Sequence, residues 1–351
     1  MRILKEVRHD NAFNFLRILA ASAVLYSHSY ALFGLEEPIP VSGQTYGSLA
    51  VALFFSISGY LVCQSWIRDP ALTRFFLRRG LRIFPGLLVV VLLTALLLGP
   101  VFTTTPLTEY FLSDSPWNYI WQGALTLGSP SLLGVFDSNS YPRAPNGSLW
   151  TLRYEILMYF LLALFGRIFA CSALKWICPT AVFFLGAVWV IANTSELTPV
   201  KIPFLWRLHT EFYLERIAYL GAFFFAGATM YVYRHEIKLS GLLAGVMIIP
   251  LLIINNSLVS MIALWIAIPY MALVFAYKAP AIFRSFNGAD YSYGVYIYAY
   301  PIQQAVSLIC SQSGCSWIVA LIISGLITLL FASLSWHFIE KPALALKSSI
   351  Y

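Results

Sequence analysis

Residues 74–102 read Arg74-Phe75-Phe76-Leu77-Arg78-Arg79-Gly80-Leu81-Arg82 and then Ile83-Phe84-Pro85-Gly86-Leu87-Leu88-Val89-Val90-Val91-Leu92-Leu93-Thr94-Ala95-Leu96-Leu97-Leu98-Gly99-Pro100-Val101-Phe102. The second part is an uninterrupted apolar run of about the 20 residues a helix needs to cross bilayer hydrocarbon. The first part crowds arginines at the entry to that run, as loops on the cytoplasmic side of a membrane do. Working outward, comparable apolar runs fall at 13–34, 46–66, 149–169, 174–192, 216–233, 240–256, 258–277, 291–310 and 316–338. With 83–102 they make about ten candidate transmembrane helices.

The composition agrees. Of 351 residues, 60% are hydrophobic and 11% charged, against roughly a quarter charged in a soluble domain, and the mean hydropathy is +0.76. A water-soluble globule is excluded. The runs are continuous rather than alternating, so a closed β-barrel is excluded as well. The expected fold is all-α, a polytopic membrane protein with one domain occupying residues 1–351.

A net charge of +7 would suit nucleic acid in a soluble protein, but in a membrane protein it reads first as loop asymmetry. Placing the N-terminus in the cytoplasm puts 16 of the 22 Lys and Arg on the inside and returns the C-terminus there too. The first span is expected to be retained rather than cleaved as a signal peptide. The five cysteines form no CxxC pair, so no metal site is expected. Cys310 and Cys315 flank an outer connection where an oxidising compartment would let them pair.

Ionisable residues inside spans are functional candidates because lipid penalises them. In the first span Arg17 and His28 are eleven residues apart, which returns to nearly the same helix face after a climb of about 16 Å. Taken singly, Arg17 could be a snorkelling interfacial cation and His28 a packing residue. Glu155, about two turns into the fourth span, is expected at the depth of His28, where a carboxylate would stabilise an imidazolium; the alternative is an internal ion pair with Arg153, two residues away and off its helix face, or with another helix. Arg79 and Arg82, three apart on one face and beside Arg78, suit bidentate phosphate binding, although inside loops collect arginine anyway. Phe54-Phe55-Ser56-Ile57-Ser58-Gly59-Tyr60 is either close helix packing or a thin wall beside a channel.

Taken together, Arg17-x10-His28, Phe54 to Tyr60, Arg79-x-x-Arg82-Ile83-Phe84-Pro85, Ser148-Leu149-Trp150-x-x-x-x-Glu155, Tyr291-Ser292-Tyr293-Gly294-Val295-Tyr296-Ile297-Tyr298 and Phe338-Ile339-Glu340-Lys341-Pro342 resemble, in order and from end to end, the acyltransferase-3 family of bacterial membrane O-acyltransferases. The resemblance implies transfer of an acyl group, most often acetyl, from cytosolic acyl-CoA to a hydroxyl of an envelope glycan such as lipopolysaccharide O-antigen. It also implies a multi-pass protein of the bacterial inner membrane, with His28 catalytic and the arginine motifs contacting acyl-CoA. Tyr298-Ala299-Tyr300-Pro301 stands where many relatives have a Trp-His-x-Pro-like stretch.

On this reading His28 is the general base, with an acyl-histidine intermediate as the rival chemistry, and Glu155 is its stabiliser. Arg17, Arg78, Arg79, Arg82, Ser58 and Tyr60 line the path of the acetyl-CoA donor. Trp117, Trp150, Arg153 and His209 are the expected contacts of a glycan or lipid-linked oligosaccharide acceptor at the outer mouth. The competing reading is a transporter or flippase of a lipid-linked glycan, which would equally need intramembrane charge.

Overall fold

The computed structural model describes residues 11–194, 213–285 and 289–347. Helices account for its regular structure; among the described residues the extended pairings are two isolated bridges. We label the helices α1 (Phe13–Leu32), α2 (Tyr46–Arg68), α3 (Leu72–Leu93), α4 (Leu107–Leu112), α5 (Ser115–Ala124), α6 (Leu152–Ile168), α7 (Ala170–Thr194), α8 (Leu214–Val232), α9 (Gly241–Ile253), α10 (Ser257–Lys278), α11 (Ala281–Arg284), α12 (Ser292–Ser313) and α13 (Trp317–Ser335). Two run on through π turns, α3 to Phe102 and α13 to Ala345. The long helices alternate in direction. One end of the bundle therefore gathers Arg68, Arg78 and Lys278, here called the arginine end, while the opposite end carries His28.

All ten apolar runs fall on helices, but among the described residues six helices are long and apolar enough to cross a bilayer: α2, extended α3, α6 with its leading turn, α7, α10 and extended α13. The rest depart for physical reasons. α9 has 13 residues, about 20 Å of helix against roughly 30 Å of hydrocarbon. α1, α8 and α12 are long, but they are inner helices whose polar residues lower their hydropathy: Arg17 and His28 on α1, Gln303 and Gln304 on α12. The apolar windows of α7 and extended α13 are only 22% and 28% buried, as befits lipid-facing helices. The least greasy long helices are thus the ones that build the interior.

The stretch Ser56 to Gly59 makes the tightest helix crossing. A Cβ on Gly59 would lie 1.8 Å from the carbonyl oxygen of Phe224, and one on Gly227 would lie 1.9 Å from that of Ser56. α2 and α8 therefore touch backbone to backbone, as small residues permit in membrane helices. Gly59→Val is expected to push the helices apart, costing at least about 1–3 kcal/mol, the usual range for overpacking. Thermal unfolding in detergent would show it as a lowered transition, and a parental transition would argue against this contact.

Between α3 and α6 the long connection is not structureless. It carries α4 and α5, and Tyr110 on α4 donates to the carbonyl of Ala95 (2.7 Å) inside the π turn of α3. Cys310 and Cys315 are joined by a disulfide at the turn after α12.

Candidate active site

A cavity of about 490 Å³ opens among α1, α2, α3, α6 and α12. Its lining reaches from Arg68 to Val51 along α2, 17 residues or about 25 Å of helix, so it traverses most of a bilayer. Six cations line it, Arg17, Arg68, Arg78, Arg79, Arg82 and Lys347, against three carboxylates, Asp69, Glu155 and Asp290. The positive excess sits at the arginine end and suits an anionic ligand.

The arginines are not equivalent. Arg17 Nη1 (3.1 Å) and Arg82 Nη2 (2.5 Å) both donate to Asp290 Oδ2. Asp290 Oδ1 in turn accepts from the Ser292 backbone N–H (3.3 Å) and from the Ser292 hydroxyl, at the start of α12. Burial alone would raise the Asp290 carboxyl, but the two guanidiniums and Ser292 outweigh it and hold it at about 2. Asp69 accepts from Arg74 (2.7 Å) and from Arg78 (2.8 Å), and these bonds hold its carboxyl well below the usual range. Arg79 differs: its Nε has no hydrogen-bond partner among the described residues, and its guanidinium lies 6.0 Å from the Tyr159 ring centre. Lys347 completes the cluster; burial first, then the neighbouring arginines, lower its ammonium to about 7.

Glu155 lines this cavity and does not meet His28. Its Oε1 accepts from Ser58 Oγ (3.0 Å) and from Tyr159, and the Ser58 and Tyr159 hydroxyls are 3.2 Å apart. The expectation that Glu155 stabilises His28 is thereby corrected. The expected common depth does not hold: Thr151 meets Tyr296 and His28 meets Tyr300 one turn further out, while Glu155 lies one turn from Thr151 in the opposite direction, about two turns nearer the arginine end than the imidazole. In addition α1 packs chiefly on α2 and α12, whereas α6 packs on α7, α8 and α2.

His28 instead meets α12. Its ring stands edge-on to Tyr300, with centroids 4.9 Å apart, and its buried Nδ1 has no hydrogen-bond partner among the described residues. Arg17 and His28 do share a helix face: the first binds Asp290 just ahead of α12, the second touches Tyr300 within it. Several amides hold this end in place. Gln303 Nε2 donates to the Leu25 carbonyl (2.8 Å) and to Ser29 Oγ (2.9 Å), bracketing His28. Pro301 has no N–H, which leaves the carbonyl of Ile297 without its helical donor, and Asn146 Nδ2 supplies one at 2.9 Å. Gln304 Nε2 donates to the carbonyls of Tyr141 (2.9 Å) and Ala144 (3.0 Å), fastening the long loop over α12.

His28 is not among the residues lining the cavity, which ends at Val51, Phe54, Thr151 and Tyr296. The separation is small. Tyr296 and Tyr300 lie four residues apart on one face of α12, a rise of about 6 Å.

Of the remaining sequence candidates, Ser58 lines the cavity but Tyr60 does not. Two residues further round α2, Tyr60 faces away, shares a hydrogen bond with Tyr277 (3.1 Å) and borders a separate small cavity with Arg234. Trp150 packs beneath Arg216, 4.8 Å from its guanidinium. Neither Trp150 nor Arg153 lines the cavity. Trp117 is half exposed at the histidine end and donates to the Phe111 carbonyl at 3.1 Å. His209 lies outside the described residues. Asp290, Lys347, Thr151, Tyr296, Gln303 and Gln304 were not singled out from sequence. Asp290 stands directly before the Tyr291 to Tyr298 motif, but a count of cations per loop passes over a lone carboxylate.

Three comparisons bear on identity. The profile of a family described as an acyltransferase domain matches residues 10–337. An O-acetyl transferase of Shigella phage Sf6 is 31% identical over 97% of both chains. Nodulation protein 10 of Rhizobium leguminosarum bv. viciae is 28% identical over 97% of this chain and 95% of its own. No solved structure matches. A helical membrane bundle with a cation-lined cavity, matched almost throughout by that profile, belongs to the acyltransferase-3 family.

Proposed function

We propose that this enzyme moves an acetyl or related acyl group from cytosolic acyl-CoA to a hydroxyl of an envelope glycan, such as lipopolysaccharide O-antigen, on the far side of the bacterial inner membrane. The observation that carries the reading is the cavity: cationic at one end, lined along about 25 Å of α2, and ending one helical turn from Tyr300, whose ring meets the His28 imidazole. Coenzyme A is long, with phosphates at one extremity and the thioester at the other. A cytosolic donor can serve an outer acceptor only by threading the bundle.

The Lys and Arg bias supports a cytosolic arginine end and cytosolic termini. The Cys310–Cys315 disulfide at the other end supports an oxidising compartment there. Arg68, Arg79 and Lys347 are the primary phosphate ligands, because Arg17 and Arg82 are already held by Asp290 and Arg78 by Asp69. The pantetheine arm runs past Ser58 and Glu155 toward Tyr296. At the histidine end His28 takes the proton from a sugar hydroxyl as its oxygen attacks the thioester carbonyl. The carbon–sulfur bond then breaks, and the departing thiolate takes the proton from the imidazolium. Exposed Trp117 and Trp121 at this end offer faces for sugar rings. The name of the phage relative supports acetyl as the group moved.

Membranes bearing the full chain, given radiolabelled acetyl-CoA, are expected to pass label to the host's surface polysaccharide; no transfer would refute the reading. Arg79→Ala orphans no carboxylate, so it should raise KM for acetyl-CoA about tenfold to a hundredfold, the worth of a hydrogen bond to a charged group. Stability should be retained, and an unchanged KM would remove Arg79 from the donor site.

A further inference from the structure

Where the cavity ends, two hydroxyls meet. Thr151, in the turn leading into α6, and Tyr296 on α12 lie 2.6 Å apart, and both line the cavity. Thr151 occupies the N-cap position of α6, yet its side chain makes no capping bond there. The Tyr296 ring is fixed from the other side by Phe54, edge-on at 5.6 Å between centroids. A mutual bond between two O–H groups uses one hydrogen and leaves one uncommitted. Among the described residues neither hydroxyl has another hydrogen-bond partner, so the spare hydrogen is available to the cavity. The site is buried and fixed by packing, which makes a neutral hydroxyl donor effective where charge develops.

We propose that Tyr296, with Thr151 behind it, donates a hydrogen bond to the thioester carbonyl oxygen and stabilises the oxyanion formed when the acceptor attacks. The inference rests on the proposed transfer from acyl-CoA and names the group that completes it. When the sugar oxygen bonds to the acyl carbon, the carbonyl π electrons move onto its oxygen. Tyr296 holds that negative charge while His28 holds the sugar proton. Collapse returns the electrons to the carbonyl, breaks the carbon–sulfur bond, and the thiolate recovers the proton from His28. Tyr296 is neither consumed nor ionised. Tyr296 stands one helical turn from Tyr300, which touches His28; the step requires donor and base to meet one acyl carbon from its two sides.

Tyr296→Phe deletes the hydroxyl and keeps the ring against Phe54. It is expected to lower kcat about 10²–10³-fold, the usual cost of one oxyanion donor, with KM for acetyl-CoA and thermal stability unchanged. Thr151→Val should lower kcat as well, and Thr151→Ser, which retains a hydroxyl, should restore it. The readout is label from acetyl-CoA into the host's surface polysaccharide, with His28→Ala measured alongside. A Tyr296→Phe chain with parental kcat, or one altered in KM or stability alone, overturns the assignment even if His28→Ala is dead. A Thr151→Ser chain no better than Thr151→Val also counts against it. An active His28→Ala beside a crippled Tyr296→Phe sinks the base and keeps the oxyanion donor. A parent chain that consumes no acetyl-CoA overturns both.

Discussion

His28→Ala is expected to abolish acyl transfer in a chain that still folds and inserts. Removing a general base costs about 10²–10⁴-fold in rate, and among the described residues no other imidazole lines the cavity or stands beside Tyr296 to substitute for it. The structural penalty is small for a stated reason. The ring makes an edge contact with Tyr300, and its buried Nδ1 has no hydrogen-bond partner among the described residues. Truncation therefore orphans no polar group, and the lost aromatic contact is worth about 0.5–1.5 kcal/mol. Specific activity and thermal unfolding, measured on the same preparation, separate the two effects. Transfer near the parental rate would remove His28 from the chemistry.

Arg82→Ala should harm both stability and donor binding, for reasons that can be separated. Asp290 is almost wholly buried and shares one oxygen between Arg17 and Arg82. Deleting one partner of a buried ion pair ordinarily costs about 3–5 kcal/mol, because the remaining charge is left uncompensated; Arg17 stays in place, so the low end is expected. Neutralising that charge in the same chain, Arg82→Ala with Asp290→Asn, should recover much of the stability without restoring KM for acetyl-CoA. The pH dependence has the same origin. The Asp290 carboxyl is held below its ordinary value, so the network's stabilisation is present above about pH 4 and lost as pH falls toward about 2. A single variant as stable as the parent, or a double variant no more stable than the single, would contradict this network.

Much of the architecture was legible because lipid enforces it. Runs of about 20 apolar residues must be helices, and every run proved to lie on one. The number long and apolar enough to span was less legible, since inner helices such as α12 trade hydropathy for Gln303 and Gln304, and α9 is too short. At the site, periodicity along one helix was reliable: Arg17 and His28 do face the same neighbour. Relations between helices were not. Glu155 was assigned to His28 by counting turns into its span, but spans do not begin at a common level and the count does not say which helix stands opposite; Ser58 and Tyr159, about two turns nearer the arginine end, proved to be its partners. Tyr60 failed for a related reason, since a two-residue step on a helix reverses the direction faced. Asp290 and Lys347 stayed hidden because the chain bends outside the spans to bring them to the cavity, and hydrophobic patterning carries no signal there.

The central claim is that the acyl end of a donor anchored among the arginines reaches His28. Bromoacetyl-CoA, supplied only to the cytosolic face of sealed vesicles containing the full chain, tests it directly, because its reactive carbon occupies the acyl position and alkylates a nearby imidazole. Peptide mass analysis should find the modification on His28, suppressed by excess CoA and by Arg79→Ala. Modification confined to cytosol-facing side chains, with His28 unlabelled while the chain still binds CoA, would overturn it.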